Sequence, residues 1–116
     1  MIFVDTGYLI ALINPSDSLH QRALAWAEAI QVQMSLTEYV LLETVNHFSA
    51  PLNRLRVHTV LNNIQSSPKW EIIPALPALF QAGLQLHAAR PDKEWSLTDC
   101  ISFVVMKERG ISRALA

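Results

Sequence analysis

Residues 1–13 read MIFVDTGYLIALI, and this opening stretch decides the fold. Met1–Val4 is a short apolar run of the kind that forms a buried strand, and Asp5 ends it. Thr6–Ile13 continues at once as an apolar helix, which Asn14-Pro15 stops. A buried strand that leads directly into a helix predicts a crossover unit of a parallel sheet, with Asp5 at the carboxyl end of the strand.

The rest of the chain repeats this alternation. Apolar or alternating runs predict three further strands, over Val32–Leu36, Trp70–Ile73 and Ile111–Ala116. Apolar residues at helical spacing, with caps and prolines at the ends, predict helices over the segments between them: Asp17–Ile30, Thr37 to about Phe48, a segment from Pro51, Pro77–Ala88, and Ser96–Arg109 with Gly110 as its left-handed cap. We therefore predict an α/β fold of three layers, α/β/α, around a short parallel sheet in a single domain, residues 1–116.

Two of these helices have predicted inner faces. Ser16 is placed to cap the first of them, whose apolar side chains recur at helical spacing: Leu19, Ala23, Trp26, Ala27 and Ile30. The helix from Pro51 is expected to bury another such set: Leu55, Val60, Leu61 and Ile64.

Composition limits the class of protein. The chain has 116 residues, of which 51% are hydrophobic and 16% charged, and this excludes a disordered chain. The formal net charge of -1 excludes a uniformly basic nucleic-acid-binding surface. Charge is nevertheless uneven, because residues 1–50 hold five acids and one base, whereas residues 51–116 hold five acids and eight bases.

Cysteine content and hydropathy bear on the compartment. Cys100 is the single cysteine, so no internal disulfide can form and a reducing cytoplasm is expected. No apolar run approaches the ~18–20 residues that cross a bilayer. The N-terminus lacks the basic segment of a signal peptide and already carries Asp5. We expect a cytoplasmic protein with no membrane partner, and a buried Cys100 that acts as a small apolar residue.

Asp5 is the first candidate for chemistry. Two roles are compatible there, because a carboxylate can cap the helix that starts at Thr6 with one oxygen and offer its other oxygen to a cation. Ligands of parallel sheets bind outside the carboxyl ends of the strands, where Asp5 is expected to lie.

Glu43 is the second candidate. At about 100° per residue the apolar side chains of its helix share one face, and three polar side chains lie away from that face: Glu43, Asn46 and His47. An acid in a helix is commonly solvated, but a carboxylate between apolar residues favours a partner, and His47 is one turn away. A zinc site of Glu43 and His47 is disfavoured, because no further His or Cys completes it.

Asp99 is the third candidate. Ser96 with an acid three residues later is a capping-box pattern, which explains Asp99 structurally. The helix that follows is apolar nearly all round, so we expect it to be buried with its N-terminus at the same sheet edge as Asp5. Two carboxylates at one edge repel each other unless a cation lies between them. We therefore favour a metal-binding role for Asp99.

Basic and aromatic side chains are weaker candidates. Five bases are considered for a phosphate-binding path: Arg54, Arg56, His58, Arg90 and Lys93. Solvated helix faces and loops explain most such residues. Trp70 and Trp95 are expected to pack in the core or at its edge rather than to stack on nucleobases.

Three stretches together resemble the PIN-domain ribonucleases, specifically the VapC-like toxins of bacterial toxin–antitoxin pairs. They are residues 4–12 (VDTGYLIAL), 37–44 (TEYVLLET) and 95–103 (WSLTDCISF), which follow the family's order and spacing. Each motif alone is weak, but the three are specific as a set, and the resemblance covers essentially the whole chain.

The resemblance implies a site and a reaction. It implies that Asp5, Glu43 and Asp99 form the catalytic, metal-binding cluster. It also implies that Thr6 provides a hydroxyl beside that cluster. Asn46 and Thr98 are expected to support that cluster. The implied reaction is cleavage of RNA phosphodiesters with Mg²⁺ (or Mn²⁺), a hard cation that prefers carboxylate oxygens and keeps waters, one of which can attack phosphorus. The implied partners are an RNA substrate, a cognate antitoxin and a second copy of the chain in a homodimer.

One departure from the family's pattern is expected to matter. Family members usually continue past the last strand into a segment with a fourth acidic residue. The sequence ends at Ala116, and Glu108 lies too far along its helix to substitute. We therefore expect a PIN-like domain that lacks its C-terminal strand extension and tail and holds its metal more weakly.

Two other functions compete with the nuclease. The same fold could serve as a catalytically weakened binding module that dimerises and binds an antitoxin. Asp5-Thr6-Gly7 is also the triplet of aspartic proteases. Those enzymes are all-β proteins, and the helical periodicity around this triplet disfavours them.

Overall fold

The computed structural model describes residues 1–116 and contains four strands and six helices. The strands are β1 (Ile2–Val4), β2 (Met34–Thr37), β3 (Trp70–Ile73) and β4 (Ala114–Leu115). The helices are α1 (Thr6–Ile13), α2 (His20–Ala29), α3 (Glu38–His47), α4 (Pro51–Ser66), α5 (Pro77–Ala89) and α6 (Leu97–Arg109). None of these helices is both long and apolar enough to cross a lipid bilayer.

The strands form one parallel sheet in the order β3-β2-β1-β4. Ile2 pairs with Met34, and Phe3 pairs with both Ser35 and Ala114. Every residue of β1 and β2 is buried, as expected for central strands of a parallel sheet that is covered on both faces. The predicted α/β fold is confirmed, and a parallel sheet excludes the all-β protease.

Local capping places two helices directly after the central strands. The Asp5 carboxylate accepts a hydrogen bond of 2.8 Å from the Thr6 N–H at the start of α1. The Thr37 hydroxyl accepts one of 3.2 Å from the Val40 N–H at the start of α3. Because β1 and β2 are adjacent, α1 and α3 both begin at the carboxyl edge of the sheet.

The prediction for α2 was wrong at its N-terminus. The helix begins at His20, and Leu19 rather than Ser16 occupies the cap position, without a side-chain hydrogen bond. The Asp17 carboxylate instead accepts a hydrogen bond of 2.8 Å from the Leu19 N–H. This local turn competes with the first helical turn. Of the predicted inner face, Ala23 and Ile30 are buried, whereas Leu19 and Trp26 are half-exposed.

The predicted inner face of α4 is confirmed at Leu61 and Ile64, and Val60 packs against the core, but the prediction was wrong at Leu55. Val57, Leu61 and Ile64 are buried, at steps of four and three residues along one face of the helix. Leu55 lies outside this face and is 81% exposed. Apolar residues are frequent around α4, so its sequence alone did not distinguish between neighbouring faces.

Helices α5 and α6 approach each other closely at Gly83. A Cβ atom added to Gly83 would lie 2.3 Å from Cγ1 of Ile101, which is buried in α6. Real carbon atoms do not come this close, so the two helices can pack as they do because residue 83 has no side chain.

Candidate active site

Asp5 lies at the carboxyl end of β1 and is the central carboxylate of the candidate site. One of its oxygens, Oδ1, accepts the hydrogen bond from the Thr6 N–H, and its other oxygen has no partner. Burial raises the pKa of the Asp5 carboxyl above its ordinary value, and the negative charges of Asp99 and Glu43 raise it further, while the Thr6 hydrogen bond opposes the rise. Asp5 therefore lies in the electrostatic field of two other carboxylates.

The two charges that act on Asp5 are on separate helices. Asp99 is in the first turn of α6, and Glu43 is half-buried in the second turn of α3 and makes no hydrogen bond. Asp99 also completes the predicted capping box, because its Oδ2 accepts from the Ser96 N–H and its own N–H donates to Ser96 Oγ, both at 3.0 Å. The capping box leaves Oδ1 of Asp99 free.

No basic side chain neutralises the three carboxylates. The two ion pairs of the protein, Arg90–Asp92 and Arg109–Glu71, involve other acids. The predicted pairing of Glu43 with His47 is wrong, since His47 is exposed and packs edge-on against Phe48 at 4.9 Å between ring centroids. No ion pair with a basic side chain therefore offsets the repulsion among the carboxylates.

A buried hydroxyl adjoins the cluster. Thr6 is 5% exposed, and its Oγ1 has no hydrogen-bond partner. Leaving such a group unpaired costs roughly 1–3 kcal/mol. Ser35 in β2 has a second buried hydroxyl without a partner. An unpaired hydroxyl next to Asp5 is suited to a ligand or water that carries its own polar atoms.

The donor set fits a hard divalent cation in its chemistry. Asp5 and Asp99 each have a free carboxylate oxygen, and Glu43 has two. In the present side-chain conformations no three acidic, His or Cys side chains lie close enough to hold one ion. Ligation by all three carboxylates therefore requires side-chain rotation, which is open to the unbonded Glu43.

The two predicted supporting residues lie on the same helices as the acids. Asn46 is three residues after Glu43 on α3 and is exposed. Thr98 precedes Asp99 and is half-buried, and its backbone carbonyl accepts a hydrogen bond of 3.0 Å from Ser102 Oγ. Neither side chain makes a hydrogen bond, so their supporting roles stay predictions.

Cys100 is fully buried next to Asp99. Burial raises the pKa of its thiol, and the charge of Asp99 raises it further. A thiol that stays protonated is a poor nucleophile, so the interpretation of Cys100 as a small apolar residue is confirmed.

The carboxylate cluster lies outside the surface cavities. Three cavities of about 180, 340 and 240 Å³ are lined mainly by residues of α1, α2 and α4, and none of the lining side chains is a carboxylate. The candidate site is therefore not one of these three cavities.

Two contacts that the sequence did not predict fix the position of α3. The Glu38 carboxylate accepts a hydrogen bond of 2.6 Å from the Ala75 N–H, and the Tyr39 hydroxyl donates one of 3.4 Å to the Leu76 carbonyl. They join the start of α3 to the β3–α5 connection. The partners are 37 residues apart, so no local sequence pattern predicts these hydrogen bonds. The available hint was that Glu38 directly follows a buried strand and therefore lies at the carboxyl edge of the sheet.

Comparison with known proteins identifies the family, because the family profile described as PIN domain matches residues 2–115. The chain belongs to the PIN-domain family. A curated relative of this PIN-domain protein is the 23S rRNA-specific endonuclease VapC20 of Mycobacterium tuberculosis. The two are 30% identical over 118 residues, which cover 100% of this chain and 88% of the relative. The predicted resemblance to VapC-like ribonucleases is confirmed.

Solved structures share the fold of this PIN domain. The crystal structure of M. tuberculosis VapC20, described as a sarcin-ricin loop cleaving toxin, matches with a TM-score of 0.90 and 24% identity, covering 100% of this chain and 88% of that one. FitAcB from Neisseria gonorrhoeae matches with a TM-score of 0.67 and 18% sequence identity, and the match covers 99% of this chain and 86% of that one. A toxin–antitoxin complex from Klebsiella pneumoniae matches with a TM-score of 0.66 and 18% sequence identity, and the match covers 97% of this chain and 83% of that one.

Proposed function

We propose that this PIN-domain protein is a divalent-metal-dependent endoribonuclease and the toxin of a toxin–antitoxin pair. The observation that carries the proposal is the placement of three carboxylates without a basic counterpart: Asp5 at the end of β1, Glu43 on α3 and Asp99 on α6. Relatedness to the endonuclease VapC20 supports the same reaction class.

The residues have separate parts in the proposed reaction. Asp5, Glu43 and Asp99 would hold the metal through their free oxygens, and the Thr6 hydroxyl would hydrogen-bond beside them. Mg²⁺ (or Mn²⁺), when bound, activates a water and neutralises the phosphate. The hydrogen bonds from the Thr6 N–H and the Ser96 N–H orient the Asp5 and Asp99 carboxylates and leave one oxygen of each free.

RNA is the proposed substrate. VapC20 is a 23S rRNA-specific endonuclease, and its structure is that of a sarcin-ricin loop cleaving toxin. We propose that the present protein also cuts a structured RNA. Its carboxylates lie at the carboxyl edge of the parallel sheet, where ligands of such sheets bind and where a folded RNA loop would dock.

The nuclease is tested by incubating the purified protein with 23S rRNA and Mn²⁺, with and without EDTA, beside the Asp99→Asn variant. We expect cleavage that EDTA abolishes and that falls more than about 10-fold in the variant, because Asn retains an oxygen for the Ser96 N–H but loses the charge. The Asp92→Asn variant, which removes a charge in the nearby loop, is expected to cleave normally.

An alternative outcome would identify a different function. Undetectable cleavage by all variants, with and without metal, would contradict the nuclease and favour a binding module of the same fold. Cleavage that EDTA does not affect would contradict the metal.

The proposed homodimer is supported by an apolar strip formed by the N-cap residue of α5 and one face of that helix. Leu76, Phe80 and Leu84 follow one another at steps of four residues and are 52%, 38% and 38% exposed. Such a strip on one helix face is suited to packing against the same strip of a second copy.

We expect Phe80→Glu to convert the dimer to a monomer, since it would bury a charge in that contact. Size-exclusion chromatography with light scattering measures the mass, and Gln81→Glu on the same helix is the matched control. A wild-type protein that is monomeric at micromolar concentration would refute the dimer.

An antitoxin is the second proposed protein partner. FitAcB and the K. pneumoniae complex are structural neighbours of this chain, and the latter is a toxin–antitoxin complex. We propose that the antitoxin offers a basic side chain to the unneutralised carboxylates. We also propose that the protein works in the cytoplasm, where its RNA substrate is found.

A further inference from the structure

A cluster of aromatic and cationic side chains lies at the entrance to α6. Trp95 is half-buried in the segment between α5 and α6 and packs edge-on against Phe103, with 4.9 Å between ring centroids and 69° between ring planes. The Arg90 guanidinium and the Lys93 ammonium lie 5.2 and 5.7 Å from the centroid of the Trp95 ring. We name these four side chains the Trp95 cluster.

The core of the protein does not account for this cluster. Trp95 and Phe103 are not among the side chains that form the buried core or pack against it, and Phe103 is 39% exposed. Arg90 and Lys93 are exposed as well. An aromatic pair of this size at the surface has a large apolar area in contact with water.

The Trp95 cluster lies close to the carboxylates. Phe103 follows Asp99 by four residues on α6, so the two side chains are neighbours on one face, about 5–6 Å apart at Cβ. Trp95 precedes α6 and packs on Phe103, so its ring lies beside the N-terminal half of the helix that carries Asp99 in its first turn. A nucleotide near the phosphate held at the carboxylates can reach this ring with its base.

Charge favours stacking over phosphate binding at this place. Residues 90–95 contain two bases, Arg90 and Lys93, and two acids, Asp92 and Glu94. Asp92 accepts both hydrogen bonds of Arg90, each at 3.0 Å, so that guanidinium is already neutralised. The segment thus provides an aromatic face and little net positive charge.

We propose that Trp95 is a stacking platform for an unpaired nucleobase adjacent to the phosphodiester that is cut, with Phe103 as the support that orients its ring. Every base has a π-face, and an aromatic side chain binds it largely without regard to sequence. Lys93 is on a long, exposed side chain and can move from the ring to a flanking phosphate, whereas Arg90 is held by Asp92. This proposal rests on the proposed ribonuclease function, because it takes RNA as the ligand.

The test compares two RNA probes on the same variants. A fluorescein-labelled adenylate dodecamer and its abasic ribose-phosphate counterpart carry the same charge, but only the first has bases. Binding is measured by fluorescence anisotropy in EDTA, in an Asp5→Asn background that cannot cut the probe. We expect Trp95→Ala to weaken adenylate binding by about 5-fold to 150-fold and to leave abasic binding unchanged.

Controls separate stacking from folding and from charge. A misfolded variant would lose affinity for both the adenylate and the abasic probe. Trp95→Phe, which keeps an aromatic ring, is expected to retain most of the adenylate affinity. Trp26→Ala, at a half-exposed tryptophan on α2, is expected to bind both probes as the parent does. Trp95→Ala should leave the salt dependence of binding unchanged, whereas Lys93→Gln should reduce its slope by about one.

The outcomes distinguish this proposal from the nuclease itself. Equal adenylate affinity with and without Trp95 would refute the platform even if the protein cleaves RNA, and Trp95 would then serve only to pack on Phe103. A base-dependent loss on Trp95→Ala in a protein without cleavage activity would support the platform and refute the proposed function.

Discussion

Replacing Asp5 with asparagine is expected to lower RNA cleavage more than about 100-fold, since even partners outside a metal's ligand shell change activity about 10–100-fold. The same variant is expected to be more stable than the wild type in metal-free buffer, with a higher Tm, because it removes a carboxylate whose ionisation is disfavoured by burial. Loss of activity and gain of stability in one substitution is the signature of a strained functional carboxylate.

The gain in stability follows from the raised pKa of Asp5. An acid whose pKa is higher in the folded than in the unfolded state binds more protons when folded, so stability falls as pH rises. The fall begins near pH 3.8, the ordinary value, and ends above the raised pKa. At neutral pH the ionised Asp5 is therefore destabilising. Asparagine removes that charge and still caps α1, because Asn and Asp are comparable caps.

Thermal unfolding between pH 3 and 8, in EDTA, measures this effect. The difference in Tm between variant and wild type should be present at pH values above the pKa of Asp5 and should vanish at pH values below it. Mg²⁺ should raise Tm of the wild type more than that of the variant, because it binds the folded carboxylates. Asp17→Asn removes an equal charge from a turn and should change neither property. A variant less stable than the wild type at pH 7 would contradict the electrostatic argument.

Replacing Gly83 with alanine is expected to destabilise the protein by about 1–3 kcal/mol, the usual cost of overpacking a core. Alanine at an exposed helix position would instead gain about 1 kcal/mol over glycine. The contact with Ile101 turns this expected gain in stability into a loss. The added Cβ would lie 2.3 Å from Cγ1 of Ile101, which is only 1% exposed. The strain would move α6, and with it Asp99, so cleavage should fall as well.

Urea unfolding of a double-mutant cycle measures the cost. Ile101→Ala alone leaves a cavity and should cost about 2–5 kcal/mol. Combined with Gly83→Ala it should cost less than the sum of the two, because the new methyl group fills part of the cavity. Strict additivity would show that Gly83 and Ile101 do not constrain each other.

The sequence predicted the sheet well because its signals are local. Buried strands that end in Asp5 and Thr37, each followed at once by a helix, specify crossover units without reference to the rest of the chain. The faces of α2 and α4 were harder. Trp26 and Leu55 fit the helical period but are exposed, because packing against neighbouring elements, not the period, selects the face that is buried.

The candidate site was predictable only in part. Asp5 and Asp99 were expected at one sheet edge, and the structure puts Asp5 in the field of both Asp99 and Glu43. The pairing of Glu43 with His47 failed because their spacing permits a contact without requiring it. Trp95 was expected to pack in the core or at its edge. The positions of the Arg90 and Lys93 side chains beside its ring could not be inferred, because they depend on the path of the 90–95 segment.

The pairing of β1 with β4 has a consequence for synthesis on the ribosome. Phe3 pairs with Ala114, and the Asp5 N–H donates a hydrogen bond of 2.8 Å to the Leu115 carbonyl. The backbone that holds the first carboxylate is therefore completed only after residues 114 and 115 have been translated. Until then a nascent chain carries all three acids without the strand that pairs with β1, so this edge of the sheet is completed only after all three acids have been made.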